Sequence, residues 1–585
     1  MRSSLCDINF INYKDRHCIN RCNVFFRIKN NKKINFIFSY FSVELANNIC
    51  YFSTYILNRT YQFNTYNLII LTKENSMHRL KIIEWAKVKY VLRGILVGIV
   101  AGIVVSAFRM SIYELLGVLP NVYNYIRDNI LWLFVWTVII LLSGLIVVRL
   151  SHDEPYIQGN GVAELKGQLQ GVMHLNWFSI LWKKFVGSLL VLGLGIPLGQ
   201  EGPSIQIGGV VGQGVNKFLK GNKSQENILI SSGAAAGLSA AFNAPLSAFV
   251  LVLEEVHHRF SNVLILSVFS ASVTASFLSF RIFGSEPSIA LGPTTVFPIE
   301  NYLYLAGLGI ILGIGGWIFQ RGLFKWTPRI FEKLPLPRYL HGFIPFLLLI
   351  PVGLYWSEML GGGTDVITTI ASERVSTILL LGILIFRFVY FNISYGSGIP
   401  GGVLVPSLAF GAILGAIYGN LTLGLTGLED PFLRNFVIYG MGGFFTATTK
   451  APLTGIVLIT ELTGSMNQLM PISIVCLSAY VISDMLRMEP TDEITLFNRT
   501  KHFPTVFKGE LMQLDVTVKF DSELDGIRMN EFDLPYNSKV VKVKRYENEF
   551  LPHKNTILLP GDELQISCDK GFLQEVDRYV EKMNI

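Results

Sequence analysis

Charged side chains are scarce in this chain: Asp, Glu, Lys and Arg make up 16% of its 585 residues, where a soluble chain carries about 25%. That shortage excludes a solvated, disordered polymer, whose composition runs the other way. Cysteine is scarce too. Of six in total, Cys6, Cys18, Cys22 and Cys50 stand in the first 76 residues, without a paired CxxC or HxxxH element. Neither a disulfide-stapled secreted scaffold nor a zinc module is indicated, and the other two, Cys476 and Cys568, fit a reducing compartment. There is no Gly-Lys dipeptide, hence no Walker A loop, and no HExxH helix. Ser204 and Ser232 lie in small-residue settings with no His near them in sequence. Little is left on which to found an enzyme, and no cofactor motif is present.

Residues 1–76 lack Gly and Pro altogether and hold a single alanine, Ala46. They also hold most of the charge imbalance: ten Lys or Arg against four Asp or Glu, out of a net +7. The near-neutral remainder gives no footing for nucleic-acid binding. With neither a compact apolar run nor a small-residue cleavage site, the leader is not a secretory signal. The expectation is a leader of doubtful structure, with Met77 as the working start.

What the chain has in plenty is apolar bulk: 51% hydrophobic residues, 53 Gly and 41 Phe, and a mean hydropathy of +0.44. An all-α polytopic membrane protein is the class this implies. Apolar runs occur at Leu92–Phe108, Leu131–Leu150, Phe178–Leu194, Val263–Leu278, Tyr302–Phe319, Phe343–Tyr355, Ile378–Phe391 and Ile472–Ile482. Several are shorter than the ~20 residues of a perpendicular span, which suggests tilted helices or helices that cross only partway. Past Glu489 the character changes. Residues 508–585 alternate in strand fashion at Val541–Lys544 and Glu563–Ser567, with a turn at Pro560-Gly561-Asp562. The expected division is a leader (1–76), a membrane body (77–500) and a small α/β cytoplasmic domain (508–585).

An internal repeat organises the body. GLGIPLGQEGPSIQIGGVVG at Gly193–Gly212 answers GSGIPGGVLVPSLAFGAILG at Gly396–Gly415, with Pro203 on Pro406. A second block, Gly233–Glu255, answers Gly440–Leu462, with Pro245 on Pro452 and Glu254 on Glu461. Broken apolar segments at matching places in two halves point to a transporter's midplane site. The Gly-rich breaks at Gly159–Gly161, Gly199–Gly202 and Gly398–Gly402 each free the N–H groups of a following half-helix, and the helix dipole adds positive charge there. Such backbone at membrane depth must line a cavity or be buried in protein. Converging N-termini of this kind suit an anion.

With these motifs in hand, the chain from about Lys87 to Arg499 resembles the CLC family of chloride channels and chloride/proton exchangers. GQEGP at Gly199–Pro203 looks like the family's GREGP, and GGVLVP at Gly401–Pro406 is similar to its GGxFxP. QGNGVAELKG at Gln158–Gly167 takes the place of GSGIPEIxG, and GAAAGLSAAFNAPL at Gly233–Leu246 follows the family pattern throughout. The resemblance implies a homodimer with a pore and two inverted helical repeats in each subunit. It makes Glu201 the gating glutamate and Glu255 the internal proton-transfer glutamate. It places the anion against Gly159, Asn160, Gly161, Gly199, Gln200, Glu201, Gly202, Gly402, Val403 and Leu404. Three departures stand out. Asn160 replaces a serine, Leu404 replaces a phenylalanine, and Thr491, Asp492 and Glu493 follow Pro490 where the family has a tyrosine. FDLPYNSKVVKVKRYENEFLPHKNTILLPGDELQIS at Phe532–Ser567 resembles the RCK C-terminal (TrkA-C) regulatory domain, which implies a cytoplasmic sensor for a small molecule or nucleotide.

The implied function is chloride transport coupled to protons, in a multi-pass protein of a prokaryotic cell membrane. A passive chloride channel and a fluoride/proton antiporter are the alternatives; an acid at position 255 favours an exchanger. Glu254 and Glu461 read as helix braces, Lys450 as a structural lysine, and His257-His258-Arg259 as a positive flank.

Overall fold

The computed structural model describes residues 75–585 other than 258–260, 285–288, 290, 292–293, 427–431, 501–510, 520–521, 537, 546–547, 570–571 and 585. The leader and its four cysteines lie outside the described residues, as do the side chains of the His257-His258-Arg259 flank. By contact, residues 1–82 form one unit and 83–585 another; the glycine-rich breaks and both repeats belong to the second.

Among the described residues, eight helices are long and apolar enough to cross a membrane. Most overrun the apolar stretch that announced them. Val263–Leu278 becomes the 22-residue helix Asn262–Phe283, and Ile378–Phe391 the 20-residue helix Thr377–Gly396. The runs looked short because Ser and Asn enter these helices where neighbours bury them, as with Ser279 and Asn392. Partial helices exist as well: Val162–Leu169, and Pro245–Leu251 continued by a π turn at Val252–His257. Helix starts are set by polar caps. The side chains of Asn176, Asn222, Ser261 and Ser376 accept from the N–H three residues on.

The two halves are built alike. In the first, the helices Glu201–Phe218 and Lys223–Phe242 cross where a Cβ on Gly208 would meet the carbonyl of Gly233. In the second, Leu404–Thr426 and Phe432–Thr449 cross where a Cβ on Gly411 would meet the carbonyl of Gly440. These positions correspond under the repeat, so only glycine permits either crossing.

The halves also interlock reciprocally. Glu461, near the end of the helix Pro452–Thr463, accepts from Leu246 N (2.9 Å) and Ser247 N (2.8 Å) at the start of Pro245–Leu251. Glu254, beyond the end of that helix, accepts from Leu453 N (3.0 Å) and Thr454 N (2.7 Å) at the start of the other. Each carboxylate caps the N-terminus of its partner helix, so the two run antiparallel about a local two-fold. Both glutamates brace helices, as their place in the sequence suggested. The corresponding glycines Gly199 and Gly402 complete the symmetry with mutual N–H···O bonds of 2.8 and 2.6 Å.

The C-terminal region has strands β1 Leu511–Thr517, β2 Lys539–Arg545, β3 Asn548–Phe550 and β4 Glu563–Asp569. They form a four-stranded antiparallel sheet in the order β1-β4-β2-β3. The helix Leu573–Met583 lays Val576 and Val580 on Leu564 and Ile566. The turn before β4 has Gly561 at φ 87°, and Asp562 beside it accepts from Arg545 at 2.7 Å.

Candidate anion pathway

Three chain breaks meet inside the body. Gly159 N donates to Ile399 O (3.1 Å), Gly401 N to Gly159 O (3.0 Å), and Gly199 pairs with Gly402. Lys184, fully buried, extends its ammonium to Ile157 O and Gly159 O, both at 2.8 Å. It pins the first break from behind. Helices then leave the breaks at Val162, Glu201 and Leu404. Gly161, at φ 92°, occupies the cap position of the first in a conformation that costs other residues strain.

Between these helix starts lies a cavity of about 30 Å³, where one water needs roughly 10–15 Å³. Asn160, Gly202, Val403, Leu404 and Glu255 line it, with Phe445, Thr448 and Asp492. Gly202 has no side chain because Asn160 packs where its Cβ would stand. Glu201 is buried at the start of its helix, with Oε2 3.5 Å from Val405 N of the third half-helix. Its Oε1 has no hydrogen-bond partner. A carboxylate there occupies the positive end of a helix of the other half.

The sequence-chosen residues divide into two groups. Asn160, Gly202, Val403, Leu404 and Glu255 line the cavity; Glu201, Gly159, Gly161, Gly199, Gln200 and Gly402 are not part of its wall. Gly159 faces a larger recess of about 990 Å³ beside Tyr395 and Arg499, and Gln200 caps the Glu201 helix, its carbonyl accepting from Ser204. Asn160 Nδ2 donates to Asp492 Oδ1 at 3.0 Å. Lys450 pairs with Asp484 at 2.9 Å, consistent with a structural role.

At the end of the cavity nearer the C-terminal domain, buried charges gather. Lys166 Nζ lies 3.7 Å from Glu255 and 3.2 Å from Glu493, and Asp492 lines the same cavity as Glu255. Below, Glu164 pairs with Arg499 at 3.0 Å. A recess of about 600 Å³ connects Lys166 and Glu255 to Asp577, Arg578 and Glu581 of the final helix, where the Arg578 guanidinium sits 3.9 Å over the Phe497 ring. Among the described residues no group of three or more His, Cys, Asp or Glu is placed to hold a metal.

Sequence reasoning passed over Lys166 and Lys184, and marked Asp492 only as a departure in the place of a tyrosine. Lys184 had a signal, a cation inside the apolar run Phe178–Leu194. Lys166 had none, because its partners are 89 or more positions away.

Two interlocked inverted halves, closing one buried cavity between broken helices, define a membrane transport protein. Residues 139–484 match the family described as voltage gated chloride channel, and residues 514–581 match the TrkA-C domain. The chain belongs to the voltage-gated chloride channel, or CLC, family. The H(+)/Cl(-) exchange transporter ClcA of Klebsiella pneumoniae subsp. pneumoniae is 33% identical over 421 residues, which cover 69% of this chain and 87% of that protein. ClcA of Salmonella newport is 32% identical over 436 residues, covering 72% and 91%. Among solved structures, a slow cyanobacterial Cl-/H+ antiporter superposes with a TM-score of 0.67 at 29% identity, covering 71% of this chain and 98% of that one. A CLC-type fluoride/proton antiporter, at 22% identity and a TM-score of 0.56 over 71% and 97%, shares the fold.

Proposed function

We propose that this chain exchanges chloride for protons across a membrane, as a homodimer with a pathway in each subunit. The observation that carries the reading is the pairing of Glu201 with Glu255. One carboxylate is buried at the start of a half-helix against the N–H of another; the second is buried in the wall of the small cavity between the half-helix starts. In this reading Glu201 competes with the anion for helix N-termini when charged and withdraws when protonated. Glu255 hands protons to and from the side bearing the C-terminal domain. The anion rests against Asn160 and the backbone around Gly202, Val403 and Leu404, which supply dipoles rather than a bare cation. The bacterial relatives named as exchangers support the substrate pair.

The domain at 508–585 lies on the cytoplasmic side in this proposal. It acts as a sensor for a small molecule or nucleotide and tunes transport without forming the pathway. The test is reconstitution in liposomes: a chloride gradient drives protons uphill. Chloride flux without proton movement would mark a passive channel, and proton pumping by fluoride but not chloride would mark a fluoride antiporter.

A further inference from the structure

Two recesses open into the body, and their charges differ. The one at Gly159 has Arg338 and Arg499 in its wall against a single acid, Glu332. The one at Glu255 has six acids, among them Glu489, Glu493 and Glu581, against three cations, Lys166, Lys450 and Arg578. A basic wall draws an anion in, whereas an acidic wall repels it and gathers protons. The C-terminal domain meets only the acidic recess. Among the described residues none beyond Arg499 lines the first, while Asp577, Arg578 and Glu581 of the helix Leu573–Met583 close the second. Two contacts anchor the domain there. Val172, just past the helix that carries Lys166, packs against the domain's apolar cluster, and a Cβ on Gly171 would meet Met512 Cε at 3.1 Å. The Arg578 guanidinium covers Phe497, on the helix that carries Glu493. Docking of the domain accounts for the two anchors but not for the charged face of its last helix lining the route to Glu255.

We infer that the C-terminal domain is a lid over the proton entrance to Glu255, regulating the proton limb of exchange and leaving the anion route free. The inference rests on the exchange reading above. With the domain docked, the helix Leu573–Met583 narrows the passage by which water reaches Glu255. The remaining recess of about 600 Å³ still admits water, one molecule needing roughly 10–15 Å³, so the docked lid slows proton entry without sealing it. With the domain undocked, solvent reaches Glu255 directly and protons exchange faster. An anion entering past Gly159 and Arg499 meets no part of the lid in either state. The anchors suit a movable element: Arg578 is exposed and Val172 half-buried, and segments held by slight contacts open at low cost. A ligand of the domain acts here through its difference in affinity for the docked and undocked states.

The experiment loosens one anchor in the full chain with Arg578→Ala. Access is read first. Glu255→Cys serves as reporter: a water-soluble thiol reagent is added to detergent-solubilised protein, and the peptide carrying position 255 is followed by mass spectrometry. Ser397→Cys reports on the other recess. Arg578→Ala should speed modification at position 255 by about two- to fivefold, the factor an exposed cation–π contact carries, and leave position 397 unchanged. Flux in liposomes is read next. Arg578→Ala should raise the exchange rate of the otherwise wild-type chain, yet leave the chloride flux of Glu255→Gln, which has lost the proton limb, as it was. An equal rise in both backgrounds puts the domain on the anion route and overturns the inference. Unchanged access at position 255, or an unchanged exchange rate, overturns it as well and leaves the contact a structural one. Should Arg578→Ala fail to fold, Val172→Asp at the other anchor takes its place with the same outcomes. Wild-type liposomes that move chloride without protons would instead count against the exchange reading, because access at position 255 remains measurable without transport.

Discussion

Glu254 and Glu255 are neighbours in sequence with opposite expected phenotypes, and replacing each in turn separates a brace from a carrier. Glu254 accepts from Leu453 N (3.0 Å), Thr454 N (2.7 Å) and Thr454 Oγ1 (2.7 Å). Thr454 is fully buried whereas Leu453 is 60% exposed, so water replaces the lost acceptor only at Leu453. Leaving a buried donor without its charged acceptor costs about 1–3 kcal/mol. Two such donors put Glu254→Ala at about 4 kcal/mol. Glu254→Gln keeps one oxygen but turns an NH2 toward an N–H donor, at about 2 kcal/mol. Its counterpart Glu461→Gln, which serves one buried donor (Ser247) and one exposed residue's N–H (Leu246), should cost nearer 1–2 kcal/mol. Unfolding of detergent-solubilised protein by heat or denaturant gives the order of stabilities, and proteoliposomes give the coupling. The expected outcome is Glu254→Gln less stable than Glu461→Gln, both pumping protons with wild-type stoichiometry. A Glu254→Gln protein as stable as wild type but uncoupled from protons would refute the assignment and make Glu254 the relay.

Three further outcomes are expected. Glu255→Gln should keep chloride flux and lose coupled proton movement, whereas Glu201→Gln should leave chloride flux insensitive to pH; fluxes in liposomes at pH 4.5 to 7.5, about the range over which a carboxyl group and its perturbed forms titrate, check both. Asn160→Ser should preserve chloride transport and change the chloride-to-nitrate ratio, read from competing anion fluxes, because a hydroxyl replaces an amide at the cavity wall. Gly411→Ala and Gly208→Ala should each destabilise the fold by about 3 kcal/mol or prevent folding, since the new methyl meets a backbone carbonyl of the facing helix. Gly382→Ala, with nothing within 4 Å of the added atom, should instead stabilise its helix by up to about 1 kcal/mol; thermal unfolding of the three variants distinguishes them.

Local chemistry was enough to reveal the membrane character, the two repeats, the half-helix breaks and the strands β2 and β4. Apolar runs, glycine clusters and alternation act over a few residues and need no partner to be read. The spans were underestimated for the same reason. Asn392 ends an apolar run on paper, but in the fold its side-chain amide donates to the Phe388 carbonyl at 2.8 Å and the helix continues. Glu201 and Glu255 were accessible because an acid in such a motif carries its own signal. What each side chain touches was not accessible. The mutual Gly199–Gly402 bonds join positions about 200 residues apart, the Glu254 and Glu461 caps likewise, and Asn160 meets Asp492 across 332. Sequence fixes which groups can donate, accept or ionise. Only the antiparallel closure of one half on the other decides which of them share a cavity, because that closure brings helix ends distant in the chain within hydrogen-bonding distance, and there the Asn160 amide finds a carboxylate rather than open space.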